Sequence, residues 1–164
     1  MSNIKKICVL TSGGDAPGMN AAVRAITDKA LEQGLEVVAA IGGYSGLIHN
    51  RIKPMTMETV NGIITRGGTC IYSDRCPEFA TEEGMNKAID TCKKNNIDAI
   101  IAIGGDGTFR GATDLSLHGI PTVGVTGTID NDITATDYTV GFDTAMNTVL
   151  EALDKFMDSC ESHA

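Results

Sequence analysis

A chain of 164 residues with 42% hydrophobic and 21% charged residues is one domain by size and long enough to bury a core. Its net charge of −8 argues against nucleic acid or anionic membrane as a partner, since both need basic patches, and no apolar run reaches the length of a membrane span. Five cysteines, an odd number without a C-x-x-C pair, read as free thiols of a reducing cytoplasm.

In chain order, residues 4–10 form a short apolar run rich in β-branched residues, and the pattern begins so early that no cleavable leader is expected. "TSGGDAPGMN" breaks it. Helical spacing over 20–33 (Val23, Ile26, Ala30, Leu31) ends at Gly34. A second strand is predicted over 35–41, followed by "GGYSGL", then a short helix over 57–64. "TRGGTCIYSDRCPEF" reads as irregular, with one strand at most. A helix over 82–95 carries Met85, Ala88, Ile89 and Cys92 on one face. "IDAIIAI", 97–103, is a strand apolar on both faces; "GGDGT" interrupts it, and a helix follows over 109–117. Residues 120–125 are another strand, and a last helix over 143–158 should turn Val149, Leu150, Leu153 and Phe156 inward.

Doubly apolar strands that alternate with helices predict an α/β fold: a three-layer, doubly wound, mainly parallel sheet with helices on both faces. Ligands of such sheets bind at the carboxyl ends of the strands, and the Gly clusters fall there: Gly13–Gly14, Gly42–Gly43, Gly104–Gly107 and Gly127. "SGGDAPGMN" lets a backbone approach a ligand and leads to a helix N-terminus, which offers free N–H groups to an anion. "GGDGT" repeats the arrangement and adds Asp106, a carboxylate that makes sense beside phosphates if Mg²⁺ stands between them. Each loop can equally be a tight turn, and neither is a G-x-x-x-x-G-K-[ST] motif. "TGTIDNDITATDYTVGFDTA" gathers Asp130, Asp132, Asp137 and Asp143 without a Lys or Arg. Asp130 or Asp132 suits a general base for an acceptor hydroxyl; the alternative is a hydrogen-bonded turn. Cys8, Cys70, Cys92 and Cys160 read as structural thiols, and His49, His118 and His163 as isolated.

"LTSGGDAPGMNAAVRA", "TRGGT", "RCPEF", "AIGGDGT" and "GTIDND…TDYTVGFDTA" follow one another in the order of the signatures of the 6-phosphofructokinase family, which the chain resembles over essentially its whole length. The resemblance implies transfer of a phosphoryl group from ATP to the 1-hydroxyl of fructose 6-phosphate, with Mg²⁺. It implies that Gly14 touches the nucleotide phosphates and that Arg75, with Cys76 beside it, lines the ATP site and neutralises charge on the transferred group. Gly105, Asp106, Gly107 and Thr108 would hold the phosphates, Asp106 serving the metal. Thr128, Ile129 and Asp130 would meet the sugar phosphate, with Asp130 as the base and Asp132 holding the loop. Tyr44 would pack near the nucleotide. Family members that use pyrophosphate carry Asp and Lys where this chain has Gly107 and Gly127, so the two glycines imply ATP. Thr126 replaces the usual proline before "GTIDND". Arg24 stands at one arginine position of the family's effector site, while Asp28 and Met157 stand where others are expected.

Family subunits are about twice as long, so the resemblance implies that 1–164 is the ATP- and Mg²⁺-binding half, with the sugar-phosphate domain largely absent. Its partners would be ATP, fructose 6-phosphate and either further copies, as in the family's tetramer, or a complementing chain. Two other readings stand beside it: a non-catalytic half-domain that binds nucleotide or a partner, and a kinase of the NAD or lipid class sharing the GGDGT loop.

Overall fold

The computed structural model describes residues 4–134 and 136–163. Strand β1 (Lys6–Thr11) leads through a glycine-rich turn into α1 (Met19–Glu32), then β2 (Glu36–Ala40), α2 (Gly43–Ile48), β3 (Ile52–Pro54) and α3 (Met57–Val60). A 3₁₀ turn (Pro77–Ala80) precedes α4 (Glu82–Lys94), β4 (Ala99–Gly104), α5 (Asp106–Leu117), β5 (Thr122–Thr126) and α6 (Phe142–Ser162). The sheet order is β3-β2-β1-β4-β5. Three neighbouring pairs are parallel, with Ile7 beside both Val37 and Ala99, and β3 alone runs antiparallel at the edge. The expected α/β sheet with helices on both faces is therefore present.

One face packs Leu10, Ile100 and Ala102 against α2, α4 and α5 through Leu47, Ala88, Cys92 and Leu115. The other packs Val9, Ala39 and Ile103 against α1 and α3 through Met19, Val23 and Val60. β1 and β4 supply both cores because successive strand residues face opposite ways and the central strands are covered twice.

Several boundaries differ from the sequence reading. "GGYSGL" opens helix α2, with Gly42 as its cap and all six helical residues, Gly43–Ile48, buried, and the antiparallel β3 had no alternation long enough to announce it. The helix expected over 57–64 stops at Val60, capped at its start by a reciprocal Thr56–Thr59 pair, and residues 61–76 hold no strand. α5 opens three residues early, at Asp106, because Gly105 takes an extended conformation as its cap. The largest correction concerns the last helix. Val149, Leu150, Leu153 and Phe156 are all exposed, Phe156 at 64%, so the stripe expected to face a core faces none within the described residues. Val123 on the edge strand β5 is likewise 61% exposed.

Candidate active site

β1 and β4 are neighbours, and the chain leaves their carboxyl ends on opposite faces, toward α1 and α5. This is the switch point of an open α/β sheet, where the two outgoing loops part and leave a crevice. A cavity of about 650 Å³ lies there, lined by Gly13 and Gly14 of the first loop, Gly105, Gly107 and Thr108 of the GGDGT segment, Arg75, and Gly127–Asp130 after β5.

Each segment is held by bonds that the sequence alone did not reveal. Ser12 donates its N–H to the Ile103 carbonyl (3.1 Å) and Gly127 its N–H to Gly104 (3.0 Å), which ties three strand ends together. The buried Thr108 hydroxyl donates to the Ser12 carbonyl at 3.1 Å. A Cβ on Gly104 would run into that hydroxyl and the Ser12 carbonyl, so only glycine lets the GGDGT turn sit so close to the first loop.

Arg75 arrives by a different route. The Thr11 hydroxyl donates to the Tyr72 carbonyl at 3.0 Å, Ser73 Oγ to the Gly13 carbonyl at 2.8 Å, and Gly13 N–H to the Asp74 carbonyl at 3.3 Å. Buried Asn20 holds the same loop from α1, donating to Arg66 and Gly67 carbonyls and accepting from Cys70 N–H at 2.7 Å. Asn20 and Ser73 are positioning residues that sequence reasoning missed. A buried Asn on a helix that follows a glycine-rich loop was the available signal.

Among the other predicted residues, Tyr44 lines the cavity from below: it is 4% exposed, stacked on Phe79 at 4.0 Å, and donates its hydroxyl to the Thr108 carbonyl at 2.6 Å. Burial, then the charge of Asp114, pushes its phenol well above the ordinary range. Cys76 is half-buried on the same wall, its thiol pushed up chiefly by burial. Asp106 starts α5, where a carboxylate complements the helix dipole; it pairs with Arg110 at 2.8 Å, and Arg110 lines the cavity. Thr128, half-buried, and Asp130, exposed, share a turn: Asp130 N–H donates to Thr128 Oγ1 at 3.2 Å. Asn131, in left-handed conformation at φ 50, and buried Thr139 pin that turn, Thr139 Oγ1 donating to the Thr128 carbonyl at 2.6 Å. Arg24 lies apart on α1; its Nε is buried and makes no hydrogen bond among the described residues. Gly111, Asp114 and Asp74 also line the cavity, and no motif had singled them out; so does Pro77, which lies within "RCPEF" but had been given no role.

Among the described residues no three His, Cys, Asp or Glu side chains converge; Asp106, paired with Arg110, stands between Gly105 and Gly107, and of these three only the two glycines line the cavity. Mg²⁺ is ordinarily bound by one or two carboxylates together with substrate phosphates.

The phosphofructokinase family model matches residues 6–164. The chain belongs to the phosphofructokinase family. An ATP-dependent 6-phosphofructokinase of Shouchella clausii is 56% identical over 160 residues, covering 98% of this chain and 50% of the relative. The chain thus spans about half the length of the curated relatives it matches. A Pichia pastoris phosphofructokinase in the T-state, 37% identical, superposes with a TM-score of 0.87 over 94% of this chain and 18% of the other. A pyrophosphate-dependent phosphofructokinase of Marinobacter aquaeolei shares the fold at 22% identity, with a TM-score of 0.76 over 97% of this chain and 43% of the other. The fold alone therefore does not choose the phosphoryl donor.

Proposed function

We propose that this chain is the nucleotide-binding half of an ATP-dependent 6-phosphofructokinase of the cytoplasm. The observation that carries the reading is the meeting of four loops in one cavity: Gly14, Arg75, the head of α5 and Thr128–Asp130. The bare N–H groups at the head of α5 and the backbone at Gly14 receive the phosphates. Arg75 neutralises charge on the transferred group. Asp106 would hold Mg²⁺, which when bound shields the phosphate charges. Asp130 takes the proton from the 1-hydroxyl of fructose 6-phosphate as that oxygen bonds to the γ-phosphorus and ADP leaves. ATP is favoured over pyrophosphate as donor because Gly107, which lines the cavity, leaves open the space a Cβ would take; Gly127 does not carry the same argument, since a Cβ there would turn into the core against Ile103 and Met19.

Turnover by these 164 residues alone should be slight. A sugar phosphate needs Arg or Lys contacts. After Arg110 the only cation in the sequence is Lys155, already paired with Glu151 at 2.6 Å. The exposed stripe of α6 favours self-association or a complementing chain. Calorimetry with Mg-ATP and with fructose 6-phosphate, together with a coupled assay of turnover, tests the reading. Nucleotide binding with weak sugar-phosphate binding is expected. Failure to bind nucleotide would overturn the site, and full turnover would overturn the half-site interpretation.

A further inference from the structure

The two faces of β5 are not alike. Gly124 meets the Phe109 ring of α5, and a Cβ there would come within 2.8 Å of it, so that face is covered. On the other face Val9, Ile101 and Val123 stand in register across β1, β4 and β5. α1 covers this row less and less: Val9 is buried, Ile101 half-buried and Val123 exposed. Parallel sheets are normally covered on both faces. Here an apolar groove of about 750 Å³ stays open between α1 and β5, with Ile7, Ile26, Leu35 and Val123 in its walls and Lys29 as its one charged residue among those described.

The same chain carries a helix that matches this groove. α1 and α6 start side by side: a Cβ on Gly18 would meet Val140 at 2.9 Å, and one on Gly141 would overlap the Pro17 carbonyl. The groove meets α1 from Ala25 to Gln33, and α6 exposes its apolar stripe from Val149 to Met157. Counted from Gly18 and Gly141, both stretches lie about 10–24 Å along their helices at 1.5 Å per residue. Their charges are complementary. α6 bears Asp143, Glu151, Asp154, Asp158 and Glu161 against Lys155 alone, while the groove offers a lysine. A chain's own α6 does not reach its own groove, because the stripe is exposed and lines none of it. The direction in which α6 leaves is fixed by the close glycine crossing and by Val140, whose N–H donates to the Thr126 carbonyl at 3.0 Å. Beyond that crossing Ala145, in the first turn, is the one buried residue of the helix.

We propose that the groove between α1 and β5 receives the apolar stripe of α6 from a second copy of this chain, each copy filling the other's groove. Such an exchange is isologous and closes as a dimer. It covers Val123 and the stripe together. Two stripes packed face to face would leave the groove open.

The experiment is sedimentation over a concentration series, in reductant so that exposed Cys160 forms no cross-link. The unaltered chain should form dimers. Val123→Glu places a charge in the groove, and Leu153→Glu places one in the stripe. Both positions are exposed in the single chain, so circular dichroism should show each variant folded. Each should raise the dissociation constant by about tenfold or more. Val123→Ser, which adds no charge, should raise it by less and keeps the groove testable if Val123→Glu fails to fold. An equimolar mixture of the groove variant with Leu153→Glu should regain dimers, because one of its two interfaces joins an unaltered groove to an unaltered α6. Groove variants that dimerise like the unaltered chain would show stripe-to-stripe pairing and overturn the proposal. So would a mixture no better associated than its components. An unaltered chain that stays monomeric at high micromolar concentration would assign the groove to some other occupant.

Discussion

Arg110 Nη2 lies 2.8 Å from Asp106 Oδ2, so the carboxylate at the head of α5 is held by an arginine of its own helix, one turn away. Both side chains are largely exposed, at 79% and 64%. An exposed pair of this kind stabilises by only about 0–1 kcal/mol, so a cation shared with phosphates displaces it readily. Asp106→Asn should therefore abolish the Mg²⁺ dependence of nucleotide binding, whereas Arg110→Ala should change nucleotide affinity by less than about fivefold. Titrations with and without Mg²⁺ measure both, and a larger effect from Arg110 than from Asp106 would refute the assignment.

Gly107 and Gly111 sit one turn apart on α5 and should answer oppositely to alanine. Nothing lies within 4 Å of a Cβ on Gly107, whose backbone is helical. Gly107→Ala should raise stability by about 0.5–1 kcal/mol yet weaken nucleotide binding. Gly111→Ala drives a methyl against two rings and should cost about 1–3 kcal/mol. Urea midpoints beside binding titrations check the pair. Unchanged nucleotide affinity in Gly107→Ala would show that the open space there is not the ligand's.

Asp130 is assigned the proton. In an assembly competent for turnover, Asp130→Ala should leave nucleotide affinity nearly intact and lower kcat by about 10²–10⁴-fold. A rate within a few-fold of the unaltered protein would remove it from the mechanism.

The last helix predicts association. Met146, Val149, Leu150, Leu153, Phe156 and Met157 are each at least 41% exposed along α6, a continuous apolar stripe of the kind that marks an interaction surface. Sedimentation should show concentration-dependent oligomers, and Leu153→Glu with Phe156→Glu should shift them toward monomer. An unaltered chain that stays monomeric at high micromolar concentration would contradict this.

Asp98 supplies a pH dependence. It accepts the N–H groups of Lys5 and Lys6 at 2.8 and 2.9 Å, and these bonds hold its carboxyl below the usual range. A lowered folded-state pKa means stability present above the unfolded value, about 3.9, and lost as pH falls through the folded one. Asp98→Asn should reduce the urea midpoint at neutral pH, and the difference from the unaltered chain should vanish in strong acid. A difference that persists there would assign the effect to something other than ionisation.

Strand and helix alternation, and glycine at the strand ends, were legible in the sequence because both are local. A strand buried on both faces must be apolar throughout, as "IDAIIAI" is, and a backbone that must meet another backbone needs glycine, as at Gly104. The loops that gather at the cavity could therefore be named before their positions were known. Other features depended on distant partners. Arg75 reaches the cavity because Thr11, Gly13 and Asn20 hold its loop, and each such bond joins residues far apart in the chain. Gly111 gains meaning only from the rings of Tyr44 and Phe79 packed against it. The same apolar spacing predicts a buried face for α4 and for α6. For α4 the prediction holds, because Leu47 and Ile100 stand in the core into which Ala88 and Cys92 pack. In α6 it fails, because periodicity records that a face is apolar and not whether anything stands opposite it.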